Sequence, residues 1–182
     1  MKNSKALPPL RPIIWRYQFQ QFGSTFLFSL VLLVFVSVFY YLRIGYFDLY
    51  IANKAMASSA ALILGIVLLL GPLQRAFVRL GYYLQYRKEL GIWAFFIVLA
   101  HGISSFFLLP DKFPLERFLG TLNWPFLFAL MATLILLGLF VISFQHVLRH
   151  INPVTWWKFQ KWGLRTAIFF SGLHFLMMKL KE

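Results

Sequence analysis

Long runs of apolar residues, parted by short stretches that hold nearly all the charge, set the pattern of this chain. A membrane-crossing helix needs roughly 20 mostly apolar residues to span about 30 Å of hydrocarbon. Five windows reach or approach that length, near residues 24–42, 57–77, 90–109, 122–144 and 162–178. Within them the apolar residues run on without strict alternation, which predicts helices and not the strands of a barrel. The expected fold class is therefore an all-α integral membrane protein, a bundle of five transmembrane helices. Residues 1–22 precede the first window and are polar and basic. They read as an inner-surface arm, with Trp15, Tyr17 and Phe19 able to dip into the interface, or equally as a mobile tail. Residues 23–182 form the transmembrane domain. The start lacks the short apolar run and cleavage site of a secretory leader, so no cleaved signal peptide is expected.

Composition sharpens this picture. The chain is 60% hydrophobic and 20% aromatic, and only 13% of its residues are charged, against about a quarter in soluble domains. A soluble globular enzyme is excluded, and so is disorder, which needs low hydrophobicity. The net charge of +13 lies in flanks between apolar runs. That makes lipid the expected partner and nucleic acid not one. Sorted by connection, twelve basic residues fall on one side: Lys2, Lys5, Arg11, Arg16, Arg75, Arg79, Arg87, Lys88, Arg149, Lys158, Lys161 and Arg165. Six fall on the other, together with four of the five acids. The excess of Lys and Arg on cytoplasmic loops then puts the N-terminus inside and the C-terminus outside, and makes spans three and five parallel. The expected location is a bacterial inner membrane, crossed several times. Trp124 on one side and Trp156, Trp157 and Trp162 on the other fit aromatic belts. Span two offers Ala57, Ser58, Ser59, Ala60, Ala61, Gly65 and Gly71 for close helix packing, and Pro72 is expected to kink or end it.

The chemistry lies in four histidines. His101 and His174 fall deep in predicted spans, where an ionisable residue is costly and is a functional candidate by default. His101 lies 14 residues after Arg87, and His174 lies 13 after Lys161. At 1.5 Å per residue both imidazoles stand about 20 Å from the basic boundary, at one level in the outer half of the bilayer. Two imidazoles at one level on neighbouring helices are what bis-axial ligation of haem iron requires. Phe95, Phe96, Phe106, Phe169, Phe170 and Phe175 could line a porphyrin, or simply pack and face lipid. Gly102 and Gly172 could give a flat macrocycle room, or serve helix packing. His146 and His150 share one helix face at i and i+4. Beside Arg149, with no carboxylate near, they read as solvated interface histidines, the other reading being a haem propionate or quinone contact. The chain has no cysteine, which excludes Cys-ligated zinc, iron–sulfur clusters and covalent c-type haem.

These residues carry a resemblance. The segment Arg87-Lys88-Glu89-Leu90-Gly91-Ile92-Trp93-Ala94-Phe95, running on to His101, resembles the opening of a ferric-reductase-like transmembrane domain. There an Arg–Leu–Gly signature starts a helix bearing a haem-ligating histidine. The segment Trp157-Lys158-Phe159-Gln160-Lys161, followed by Leu173-His174, is similar to the second signature of that family. The likeness is nearest to the membrane haem subunits of bacterial periplasmic methionine sulfoxide reductase systems and covers roughly residues 57–178. Lys161 stands where the family has a further histidine, Arg165 where a Tyr is common, and the sixth span of the family is absent. The resemblance then implies one b-type haem, ligated by His101 and His174, used for electron transfer.

The leading functional reading is a membrane cytochrome. It would pass electrons between a quinol or a separate reductase and an outer-side redox partner protein. It would act as an electron-transfer subunit and not a complete enzyme. Arg75, Arg79 and Arg87, with Lys161 and Arg165, would attract an anionic donor such as a flavin phosphate (FMN) or contact a propionate, or they merely set topology. A quinone is a further candidate cofactor. The alternative is a structural or relay subunit of a larger membrane redox complex, with other membrane subunits as partners and no haem required. A transporter is disfavoured because the spans hold no carboxylate and show no inverted repeat. A membrane protease is disfavoured because Ser104, Ser105 and Ser171 have no acid or second base to complete a nucleophile.

Overall fold

The structure, a computed structural model, describes residues 11–114, 116, 123–144, 147 and 150–180, with side chains from residue 19 onward. Five long helices make up the described residues: α1 (Arg11–Ile44), α2 (Leu49–Ala76), α3 (Arg87–Ile103), α4 (Trp124–Val141) and α5 (Pro153–Lys179). A 3₁₀ segment, Val78–Tyr86, leads into α3, and a π turn, Ser104–Leu108, follows it. Four of these units, 19–44, 49–76, 78–108 and 124–141, are long and apolar enough to cross a membrane. Helix α5 has the length, at 27 residues, but Lys158, Lys161 and Arg165 in its first half dilute its apolar character. The chain is a multi-pass helical membrane protein in contact with lipid.

Local chemistry explains the helix ends. Gly45 closes α1 with φ +85°, a conformation that costs a Cβ-bearing residue energy. The Asp48 carboxylate caps α2 by accepting from the Ile51 N–H at 2.7 Å. Helix α2 thus begins eight residues before the apolar window and takes in Asn53 and Lys54. It runs through Pro72 to Ala76, so the proline does not end it. Asn152 caps α5 in the same way, at 2.9 Å to the Val154 N–H, with Pro153 at the first position, where no N–H is needed. Helix α1 starts at Arg11, so residues 11–22 of the expected arm continue into the first span. Residues 1–10 lie outside the described residues.

Packing joins α2 to α3 and α4 to α5, and these two pairs meet through α3 with α4 and α2 with α5. Helix α1 lies against α2 and α3, with Phe22 and Phe26 each 4.7 Å from the Trp93 ring. Its inward stripe is Gln21, Thr25, Ser29 and Val36, all buried, while its large apolar residues face out. That inversion suits a lipid solvent, in which small polar residues let helices approach. An apolar core of Ile63, Leu64, Val67, Leu70, Leu90, Ala94, Phe95, Leu136, Leu164 and Ala167 fills one half of the four-helix bundle. This half, which holds Arg75, Arg87 and Lys161, is the basic end.

The expected close packing through the glycines of span two is not what is found. Ala55, Ser59 and Ala60 of α2 are buried, but a Cβ on Gly65 would meet nothing within 4 Å, and one on Gly71 only the Arg87 side chain at 3.9 Å. The tight glycine is Gly163 of α5, where a Cβ would come within 2.7 Å of Leu139 Cδ2 on α4.

Candidate functional site: two imidazoles at the polar end of the bundle

Above Phe95 the interior changes character. More than two turns further on, in the π turn that follows α3, the buried residues are Ser104 and Ser105, and Asn53 of α2 faces Ser105. His101 and His174 stand at this level, both part-buried. Each points to the beginning of the helix packed beside its own. The His101 Nδ1 lies 2.9 Å from Asn53 Oδ1 and 3.1 Å from the Asn53 carbonyl, near the start of α2. The His174 Nδ1 lies 2.8 Å from the Pro125 carbonyl, in the first turn of α4. These contacts make α2 and α3 antiparallel, α4 and α5 antiparallel, and α3 and α5 parallel. Both histidines lie toward the end of the bundle away from Arg75, Arg87 and Lys161.

The hydrogen bonds fix the tautomers. A carbonyl oxygen only accepts, so each Nδ1 is a donor. A neutral imidazole with its hydrogen on Nδ1 leaves the lone pair on Nε2 free for a metal. This carbonyl-anchored arrangement is the one that metal-bound histidines adopt. Helices α3 and α5, which carry the two rings, are not a main packed pair of the bundle. A Cβ on Gly102 or Gly172, each next but one or next to a histidine, would meet nothing within 4 Å. Neither glycine is therefore in close helix contact.

Among the described residues no group of three or more His, Cys, Asp or Glu is gathered. A pair of imidazoles suits a metal whose other ligands arrive with its cofactor. Two neutral imidazoles, each with a free Nε2 lone pair and each on its own helix, are donors of the kind that a haem iron takes.

The aromatic residues divide. Phe95 is buried and stacks on Phe140 at 4.9 Å, as part of the core. Phe106 meets Phe126 edge-on at 5.8 Å, and Phe170 stacks on Phe128 at 6.1 Å, both near the histidine end. Phe96, Phe169 and Phe175 are exposed, the last two more than 60%. Of the basic residues, Arg75 and Arg79 are exposed. Arg87 lies over the Trp157 ring at 5.4 Å and forms part of the wall of a cavity of about 170 Å³. Leu64, Ile92, Phe140, Trp156, Gln160 and Leu164 also line it. Lys161 and Arg165 are exposed and flank the Trp162 ring, so Lys161 does not enter that cavity. His150 is exposed in the turn before α5, as an interface histidine would be, and His146 lies outside the described residues.

Asn53 is the site residue that sequence reasoning passed over. Its signal was available: a carboxamide in an apolar helix is glue or function. It was hidden because the apolar window of span two begins four residues after it, at Ala57. No protein-family model matches the chain, and no curated protein is similar to it in sequence. The likeness to ferric-reductase-like domains therefore rests on the motif residues around His101 and His174.

Proposed function

We propose that the chain is a membrane b-type cytochrome of the ferric-reductase-like kind, with one haem held by His101 and His174 in the outer half of the bilayer. The observation that carries this reading is the pair of imidazoles whose Nδ1 hydrogens are tied to carbonyls of α2 and α4. Haem bound there supplies one-electron redox chemistry at iron. The protein supplies the axial nitrogens, fixes their tautomers, and surrounds the site with Ser104, Ser105, Asn53 and packed aromatic rings. Electrons pass between a quinol or a separate reductase and a redox partner protein on the outer side. Arg75, Arg79 and Arg87 draw an anionic donor, or an FMN-bearing partner, to the basic end. With the N-terminus inside and the C-terminus outside, the setting is a bacterial inner membrane, where further membrane subunits can attach.

The test is a reduced-minus-oxidised spectrum of the purified chain with a pyridine haemochrome count. One haem b per chain is expected, and its bis-imidazole low-spin bands should vanish in His101→Ala and in His174→Ala. A wild-type spectrum in both variants, or two haems per chain, defeats the assignment.

A second reading has one observation in its favour. Both Nδ1 bonds join helices that already pack together, α3 to α2 and α5 to α4, which is also what polar glue between membrane helices does. On that reading the chain is a structural or relay subunit of a larger redox complex. A chain purified from haem-replete cells without haem, yet stably folded, would favour it.

A further inference from the structure

The hydrogen bonds at His101 form a closed ring that reaches beyond the two ligands. Ser105 Oγ donates to the His101 carbonyl at 2.8 Å, so its hydrogen is committed. Its lone pair accepts from Asn53 Nδ2 at 2.9 Å. That contact fixes which way the Asn53 carboxamide faces, because the amide nitrogen must point to Ser105. Oδ1 is then turned to His101 Nδ1, at 2.9 Å. Asn53 is 2% exposed, so water does not compete for these bonds. Ser105 lies in the π turn Ser104–Leu108, and such turns recur at functional sites.

His174 is held differently, by a main-chain carbonyl alone. The two imidazoles are thus unequal. Only His101 has an anchor that a side-chain change can retune.

We infer that Asn53 is a positioning residue for His101: its carboxamide, oriented by Ser105, sets the ring's angle and donor strength as a ligand. The inference rests on the haem assignment made above. The physical cause is polarisation. A strong acceptor on Nδ1–H pushes electron density onto Nε2, which favours the ferric over the ferrous state. Losing an outer partner of this type changes metal affinity about 10- to 100-fold. The Asn53 main-chain carbonyl, 3.1 Å from Nδ1, survives any substitution. Loss of the side chain should therefore weaken the anchor without abolishing it.

The experiment is potentiometric titration, with low-temperature electron paramagnetic resonance, of the purified full chain and three variants. In Asn53→Ala, haem stays bound and the ferric-to-ferrous preference falls about tenfold, a rise in midpoint potential of about 59 mV. In Asn53→Asp the stronger acceptor lowers the potential. In Ser105→Ala the carboxamide loses its orientation, and the potential moves the same way as in Asn53→Ala, but less. The ferric g-values should shift in all three, which a purely structural role for Asn53 would not cause. Should Asn53→Ala fail to fold, the opposed directions of Asn53→Asp and Ser105→Ala still decide. Wild-type potentials and g-values in every haem-loaded variant overturn the inference and leave the haem assignment standing. A wild-type chain that binds no haem overturns both.

Discussion

Adding one methyl group at Gly163 tests whether the α4–α5 seam holds His174 in place. A Cβ there would lie 2.7 Å from Leu139 Cδ2, 3.2 Å from Cγ and 3.3 Å from Cδ1. Carbon–carbon contacts are comfortable at about 3.5–4.0 Å, so the deficit is close to 1 Å. All three atoms at the branch of Leu139 are crowded, so turning one methyl away brings the other in. Either Leu139 leaves its rotamer or the helices part, a cost of about 1–3 kcal/mol. The same substitution at Gly65 of α2 meets nothing within 4 Å. The helix-propensity gain of Gly→Ala, about 0.8–1.0 kcal/mol, applies to both sites and cancels in the difference. Gly163→Ala should thus be about 1–3 kcal/mol less stable than Gly65→Ala in a reversible unfolding titration in mixed micelles. Leu139→Ala in the Gly163→Ala background should recover part of that loss, with a coupling of about 1–2 kcal/mol. Gly163 lies 11 residues, about 16 Å, from His174 on the same helix. Splaying the seam should lengthen the bond from His174 to the Pro125 carbonyl and perturb the haem spectrum. Equal stabilities for Gly163→Ala and Gly65→Ala would refute the packing argument. An unchanged spectrum in a clearly destabilised Gly163→Ala would refute its link to the site.

Two further outcomes are expected. A tag placed after Glu182 should be cut by protease added to cells with a permeabilised outer layer and an intact inner membrane; protection would reverse the orientation read from the basic residues. In liposomes, haem in the purified chain should be reduced by a quinol and not by NADPH alone. The sequence holds no Gly-rich G-x-G-x-x-G loop of the kind that cradles a dinucleotide's pyrophosphate. Rapid reduction by NADPH with no other protein or quinone would defeat that expectation.

The parts of the fold legible in sequence are those set by the solvent. Lipid demands long apolar runs, so the helices at 24–42, 57–77, 90–109 and 122–144 stand out. The equal spacing of His101 and His174 from Arg87 and Lys161 can be counted along the chain, since helical rise is constant. What sequence could not give is what depends on neighbours. Gly65 and Gly163 are alike in sequence, both glycines in helices, and only the approach of Leu139 separates them. Phe95 and Phe96 are adjacent aromatics, yet one is in the core and the other faces out. The stripe of Gln21, Thr25 and Ser29 sits among phenylalanines and leucines. Its inward turn reverses the soluble-protein expectation that apolar residues go inside.

Asn53 shows most clearly where a hydropathy reading stops. The window method looks for what lipid accepts, and it trims away the polar residues at the end of a span. Those residues are the ones a helix can carry only where another helix satisfies them. Here the Asp48 cap extends α2 past the apolar window, and that extension brings a carboxamide to the depth of His101. The same antiparallel geometry brings the start of α4, with the Pro125 carbonyl, to the depth of His174. Both anchors come from helix beginnings because α3 and α5 each run antiparallel to the helix packed beside them. The matched spacing of the two histidines from the basic residues of their own helices thus goes with acceptors near the N-terminal ends of the helices beside them. The first half of that statement could be counted from the chain, and the second needed the packed bundle.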